Sequence, residues 1–389
     1  MKKRVERTFG DQVLSMETGQ LAKQAAGCVL VRYGETSVIV AAATGAPRMG
    51  IDFFPLTCDY RERSAAAGKF PGGFLKREGR PTMKETLTSR LMDRPIRPLF
   101  PDGFFDEVQI QASVLSSDRQ NDGDVLAMNG ASAALSVSPL PFRGPLGSVR
   151  VAQIDGQFVP FPTQDQLEES DLDLIVSGSE TAVLMIEGFA REMPEDRMFQ
   201  AIEFAHGIIR ELCAMQHELV AQAGKPKKEY TLADYSGLRE RLTRGYLSEL
   251  KVAKSAAVKH ERGQAVKALR ERARAGEAPM EPAATAKVGD AGGVSDADFS
   301  HVWHALEERA VRELILEGKR PDGRDYTSLR PIACEVDLLP RVHGSSLFQR
   351  GETQALITVT LGTGKDEQRV DGLLEEYSKK FMLDYYFPS

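Results

Sequence analysis

Residues 28–45 read CVLVRYGETSVIVAAATG, and the fold of this stretch decides how the rest of the chain is read. A short apolar run, a glycine, and a β-branched run from Ser37 to Ala42 describe two strands joined by a tight turn at Gly34. The turn comes back later. Residues 351–364 read GETQALITVTLGTG, the same Gly-Glu-Thr feeding the same kind of strand, and PLTCDY at Pro55 corresponds to FMLDYY at Phe381. Self-similarity of this kind implies a duplicated domain, of which the chain holds one copy and a fraction of a second.

Outward from the first hairpin, strands and helices follow in an order that predicts an α+β domain with a mixed sheet. FFPLTCDYRER is a strand with Leu56, Cys58 and Tyr60 alternating. Thr82–Arg94 is a helix carrying Leu87, Leu91 and Met92, ended by Pro95. VQIQASVLSS is a strand, and GDVLAMNGASAALSVS is a helix of small residues able to pack closely on a sheet. FVPF, LDLIVSG and AVLMIEG are further strands. EDRMFQAIEFAHGIIRELCAMQ is an amphipathic helix with Met198, Ile202, Ala205, Ile209 and Leu212 on one stripe. Composition shifts near Lys225. Residues 236–275 are helical and basic, GEAPMEPAATAKVGDAGGVS reads as a connector, and Asp296–Gly318 is a helix with Phe299, Val302, Leu306, Ala310 and Leu314 on its apolar face. KRPDGRDY then makes a turn.

The chain has 389 residues, 42% apolar and 27% charged, which is the composition of a soluble globular protein of two or three domains. No apolar run is long enough to span a membrane, and MKKRVERTFG has no apolar segment behind its cations, so neither a membrane partner nor a secretory signal is expected. Four scattered cysteines (Cys28, Cys58, Cys213, Cys334) without a CxxC pair fit reduced thiols in the cytoplasm.

Net charge is −6, so affinity for a polyanion has to be local. From Lys69 to Arg97 eight cations (Lys69, Lys76, Arg77, Arg80, Lys84, Arg90, Arg94, Arg97) face three anions, a net of +5. The cluster begins in KFPGGFLKREGRP, Lys69–Pro81, where glycines, prolines, aromatic rings and cations mix. A solvated helix face laced with ion pairs is the ordinary alternative for such a cluster.

Several chemistries are excluded. AAAGKF fails as a phosphate loop, because Arg63 stands where a glycine is needed and Phe70 where a hydroxyl is needed. No GxGxxG opens a helix, and no GxSxG occurs. His301 and His304 have no Cys or acidic cluster in register and are read as packing or surface residues. Asp122 and Asp124 open a helix, where capping is their expected role.

The stretch FFPLTCDYRERSAAAGKFPGGFLKREGRPTMKETLTSRLMDRPIRPLFPDGF (Phe53–Phe104) resembles the first core domain of the bacterial polynucleotide phosphorylase family. KRPDGRDYTSLRPIACEVDLLPRVHGSSLFQRGETQALITVTLGT (Lys319–Thr363) resembles the start of its second. The resemblance covers nearly the whole chain. It implies a first ribonuclease PH-like domain (1–228; a mixed sheet of the ribosomal protein S5 domain 2-like kind with helices), an all-helical linker domain (229–318) and the N-terminal part of a second ribonuclease PH-like domain (319–389). It also implies a ring-shaped homotrimer, possible association with other RNA-degradation components, and phosphorolysis of RNA from the 3′ end. Inorganic phosphate would be the co-substrate, Mg2+ or Mn2+ would assist, and nucleoside diphosphates would be released.

The loop Phe74-Leu75-Lys76-Arg77 corresponds to the family's constriction for single-stranded RNA, commonly Phe-Phe-Arg-Arg. Leu75 here removes one stacking face, and Lys76 replaces a planar fork with a point charge. Arg80 is expected beside the same path, and Arg94, Arg97 and Arg320 are expected to face that path or the domain interface, complementing the helix dipole being the ordinary alternative. The family's catalytic loop and metal-binding aspartates align downstream of Ser389. In the first copy Asn121-Asp122-Gly123-Asp124 occupies the serine-loop position, while Phe161 and Leu167 occupy the aspartate positions. Asp165, Asp171 and Asp173 nearby are read as capping and edge residues, so no catalytic residue and no metal ligand is assigned within the chain. Two functions follow as expectations. One is part of a phosphorolytic exoribonuclease, inactive alone. The other is a non-catalytic module that binds single-stranded RNA or acts as a scaffold.

Overall fold

The structure is a computed structural model that describes residues 2–47, 51, 53–72, 74–230, 234–277, 294–374 and 376–387. Compactness divides the chain into two units, Met1–Leu232 with Arg369–Lys379, and Ala233–Gln368 with Lys380–Ser389.

The first unit opens with β1 (Lys3–Phe9), β2 (Gln12–Thr18), β3 (Gly27–Tyr33), β4 (Thr36–Gly45) and β5 (Leu56–Glu62). Then come α1 (Met83–Ile96), β6 (Glu107–Ser116) and α2 (Gly123–Val137). The six strands form one sheet in the order β1-β2-β3-β4-β6-β5, antiparallel except for β5 alongside β6. β3 and β4 pair from Tyr33 opposite Thr36 outward, so Gly34 and Glu35 are the whole loop. Gly34 has φ 59°, and no positive φ falls on Glu35, the pattern of a type II′ hairpin turn that needs glycine first. Strands β1 and β2, and a further strand below, were not visible as sequence signals. Lys3–Phe9 carries five polar residues among seven, and only Val5 and Phe9 of it are buried.

Helix α2 is buried along its whole length, and its small residues let it touch β3, β4, β7 and α4. Asn129 pins it in place. Its amide donates to the carbonyls of Val125 and Ser148, and its Oδ1 accepts from Ser148 N–H, so a buried polar side chain is fully used. Beyond α2 lie β7 (Gly147–Ile154), β8 (Gln157–Pro160), α3 (Gln164–Glu169), β9 (Leu172–Gly178), β10 (Val183–Ala190) and α4 (Glu195–Ala223), with a second sheet ordered β10-β9-β7-β8. The predicted stripe of α4 is its inner face. Ala205, Ile209 and Leu212 are buried, and Met198 and Ile202 pack at its margin. Helix α1 departs from expectation at both ends of its stripe. Leu87 is exposed, and the helix runs through Pro95, which is buried beside Met92 and Ile96. Proline is tolerated there because only the last turn is affected, and the chain continues as a 3-10 turn over Arg97–Leu99.

The second unit contains α5 (Ser236–Lys254), α6 (Lys259–Gly276) and α7 (Asp296–Leu316), packed through Leu238, Leu242, Leu250, Leu269, Phe299 and Trp303. Most of the expected connector, 278–293, lies outside the described residues. The Arg320–Gly323 turn closes with Gly323 N–H on the Arg320 carbonyl. A three-stranded sheet follows, β11 (Ile332–Val336), β12 (Gly344–Arg350) and β13 (Thr353–Val359) in that order. The second GET turn repeats the first: Arg350 faces Thr353, and Gly351 has φ 61°. β14 (Gln368–Val370) and β15 (Tyr377–Lys379), which fall almost wholly in the stretch grouped with the first unit, make a small two-stranded sheet. The expected counterpart of β5 at Phe381 is not a strand among the described residues. β5 pairs along its length with β6, and Phe381–Tyr386 has no such neighbour among the described residues. No helix among the described residues is long and apolar enough to cross a membrane.

Candidate nucleic-acid interface

The cation-rich loop leaves the sheet at the end of β5 through a 3-10 turn, Ser64–Ala67, closed by Gly68 in the left-handed region. It re-enters at α1, where Thr82 and Glu85 form a reciprocal capping box. Glu85 also accepts from Glu62 N–H at 2.8 Å, and Glu78 accepts from Ser64 N–H at 3.0 Å, so carboxylates knit the two ends of the loop together. Between these ties Phe70 and Phe74 are 86% and 98% exposed and Leu75 is 72% exposed, far beyond what unligated apolar side chains favour. Lys76, Arg77 and Arg80 are exposed and make no hydrogen bond or ion pair among the described residues. Gly73 lies outside the described residues. Apolar faces interleaved with unneutralised cations can stack on bases and hold phosphates at the same time.

Arg90, on α1, is likewise exposed and without a partner among the described residues, whereas the remaining cations of the cluster are engaged. Arg94 pairs with Glu187 at 2.7 Å. Arg97 pairs with Asp93 at 2.6 Å and donates to the carbonyls of Phe54 and Leu56, tying the end of α1 to the strand it covers. They lie about 17 Å and about 21 Å along the helix axis from its start, at the end opposite the loop's attachment. Arg320, in the second unit, donates to the Tyr326 carbonyl. Charge counting could not separate open cations from spent ones, because it carries no partner information.

Lys84 is the clearest case. Burial alone would lower its pKa, yet Asp122 at 3.0 Å and Glu62 at 2.8 Å outweigh that and raise it. It belongs to a buried network in which Arg150 reaches Asp124 at 2.9 Å, Asp122 at 3.5 Å and Asp173 at 3.1 Å. Asp122 also caps α2, accepting from Asp124 N–H at 3.2 Å. Desolvation pushes the Asp124 carboxyl up to about 6, Arg150 only partly offsets this, and the neighbouring Asp122 charge adds to it. Asp122 itself is held below its ordinary value because Lys84 and Arg150 outweigh its burial. These carboxylates converge on a guanidinium and an ammonium and leave no open oxygen set, so the residues present do not fit a divalent cation.

Asp165 accepts from the Gln120 amide and Asp171 pairs with Arg191. Phe161 is core, with ring centroids 5.6 Å from Phe9 and 5.1 Å from Tyr33, and Leu167 lies in α3. His301 packs on Tyr235, and His304 lies 3.3 Å from Glu308. Among the described residues no three His, Cys, Asp or Glu side chains gather as a metal would need.

The chain is thus a duplicated α+β protein with an exposed, cation-bearing loop between a strand and a capped helix. The chain belongs to the 3′ exoribonuclease family: domain 1 of that family matches residues 12–141 and again 328–389, and domain 2 matches 144–208. The double match of domain 1 is the duplication read from the two GET turns.

Within the family, the chain is similar to the polyribonucleotide nucleotidyltransferases. It is 64% identical to that of Rhodopirellula baltica over 100% of this chain and 51% of the relative. It is 47% identical to that of Sorangium cellulosum over 97% of this chain and 50% of the relative. The chain thus spans about half the length of the curated relatives it matches. A solved structure, the Archaeoglobus fulgidus exosome with RNA bound to the active site, superposes at a TM-score of 0.42 with 17% identity over 55% of this chain and 86% of that one, too remote to argue from.

Proposed function

We propose that the chain is the RNA-gripping part of a phosphorolytic 3′-to-5′ exoribonuclease of mRNA degradation, which converts RNA and inorganic phosphate reversibly into nucleoside 5′-diphosphates. The observation that carries this reading is the loop: Phe74 and Leu75 exposed beside three cations, Lys76, Arg77 and Arg80, that no group among the described residues neutralises. Backbone phosphates are the natural counter-charge, and bases of any sequence offer faces to the apolar side chains. Arg94, Arg97 and Arg320, with donors spent internally, are secondary contacts in this proposal.

The complete enzyme is proposed to work in the cytoplasm as a homotrimer with Mg2+ or Mn2+. The metal would be held by residues other than the first copy's network, whose carboxylates are committed to Lys84 and Arg150. Photocrosslinking of a 4-thiouridine-substituted oligonucleotide to the chain tests the reading. Adducts on the peptide spanning residues 70–80 are expected. Adducts confined to other segments would overturn it.

A further inference from the structure

We infer that Lys69 is a positioning residue that fixes the entry of the Phe74–Arg80 loop against the segment Arg369–Lys379. An ammonium has three N–H donors, and here one short segment supplies an acceptor for each. Lys69 Nζ lies 2.9 Å from the Gly372 carbonyl, 2.9 Å from the Leu374 carbonyl and 3.3 Å from Asp371 Oδ1. The segment is itself anchored. Leu373, between the two accepting carbonyls, is 5% exposed and belongs to the main buried core of the first unit. The loop also runs alongside it, since a Cβ on Gly72 would stand 3.7 Å from Asp371 Oδ2.

Between Lys69 and the Glu78–Ser64 bond, residues 70–77 make no other side-chain hydrogen bond among the described residues. The loop therefore hangs from two tethers, and Lys69 is the one that reports on the second repeat. Fixing both ends lowers the ordering cost that binding a flexible strand would otherwise incur. Because its donors are spent, Lys69 contributes order to the grip and releases no counterion from RNA.

This role rests on the RNA-gripping reading above, and the test keeps the two apart. Full-length chain is compared as wild type, Lys69→Met, Lys69→Arg, Lys76→Ala/Arg77→Ala, and the combination of Lys69→Met with the double change. Tryptic cleavage after Lys76 and Arg77 is expected to rise roughly tenfold in Lys69→Met, the scale of lost charge-assisted hydrogen bonds, with Lys69→Arg recovering most of the protection. Affinity for oligo(A) should fall in Lys69→Met with its salt slope unchanged, and the effect should vanish in the background already lacking Lys76 and Arg77. A flattened salt slope in Lys69→Met would make Lys69 a phosphate contact and overturn the inference, as would unchanged loop cleavage. If wild type fails to bind RNA, the RNA-gripping reading falls, and the cleavage arm still decides whether Lys69 orders the loop.

Discussion

Asp124 sits buried where four carboxylates meet two cations, Lys84 and Arg150, and burial, with the neighbouring Asp122 charge, raises its pKa. Its folded pKa, near 6, lies above the ordinary carboxylate value, so the folded state holds a proton that the unfolded chain releases. Its contribution to stability is therefore full below about pH 4 and is lost as pH rises through about 6. Asp122, lowered by Lys84 and Arg150, runs the other way and loses its contribution as pH falls below the ordinary carboxylate range. Urea unfolding of wild type and Asp124→Asn from pH 4 to 7 checks the sign. Wild type should lose stability relative to the variant across that window, and a constant difference would contradict the assignment. None of this was legible in the sequence. Lys84 counted there as one more surface cation and Asp122–Asp124 as a helix start, because pairing partners come from Glu62, Arg150 and Asp173 on three different strands.

At the scale of elements, the approach of α2 to β3 sets the packing of the first unit. A Cβ on Gly27 would lie 2.1 Å from the Ala134 carbonyl oxygen, a backbone atom that cannot swing aside. Gly27→Ala is expected to destabilise the chain by about 3 kcal/mol, read by urea unfolding. A loss within error of zero would mean that the helix sits further from the sheet than described. The elements that could be read from the sequence are those with strong local signals: the β3–β4 hairpin through its GET turn, α2 through its small residues, and α4 and α7 through their apolar stripes. Those missed include β1, β2, β7 and the short α3, β14 and β15. In β1 the stretch Lys3–Phe9 is dominated by charge, and its strand form is imposed by antiparallel pairing with β2 rather than by its own composition. Pro95 misled for a related reason, since Met92 and Ile96 bury the last turn of α1 and packing overrides the local preference.

At the scale of the whole molecule, the second repeat presents much apolar surface, while among the described residues Leu373 is the one it places in the buried core of the first unit. Ile332, Val336, Leu356 and Val359 are each between 46% and 78% exposed, whereas Leu373 is buried. Limited trypsin digestion is expected to cut within residues 324–350 before it cuts the sheet of the first unit, and the reverse order would show that β11–β13 is the firmer body. The chain is also predicted to release no nucleoside diphosphate from poly(A) with phosphate and magnesium, because the first copy's buried cations Lys84 and Arg150 are neutralised by carboxylates and its carboxylates are committed to them. Diphosphate release at a sustained rate would refute that.

The loop is the part of the account on which function rests, and its charge is measurable directly. Affinity for a single-stranded oligo(A) should be determined across a range of salt concentrations for wild type and Lys76→Ala/Arg77→Ala. The double change is predicted to flatten the slope of log affinity against log salt by about 1.4, the counterions released from single-stranded RNA by two cations. An unchanged slope would contradict the claim that these residues hold phosphates.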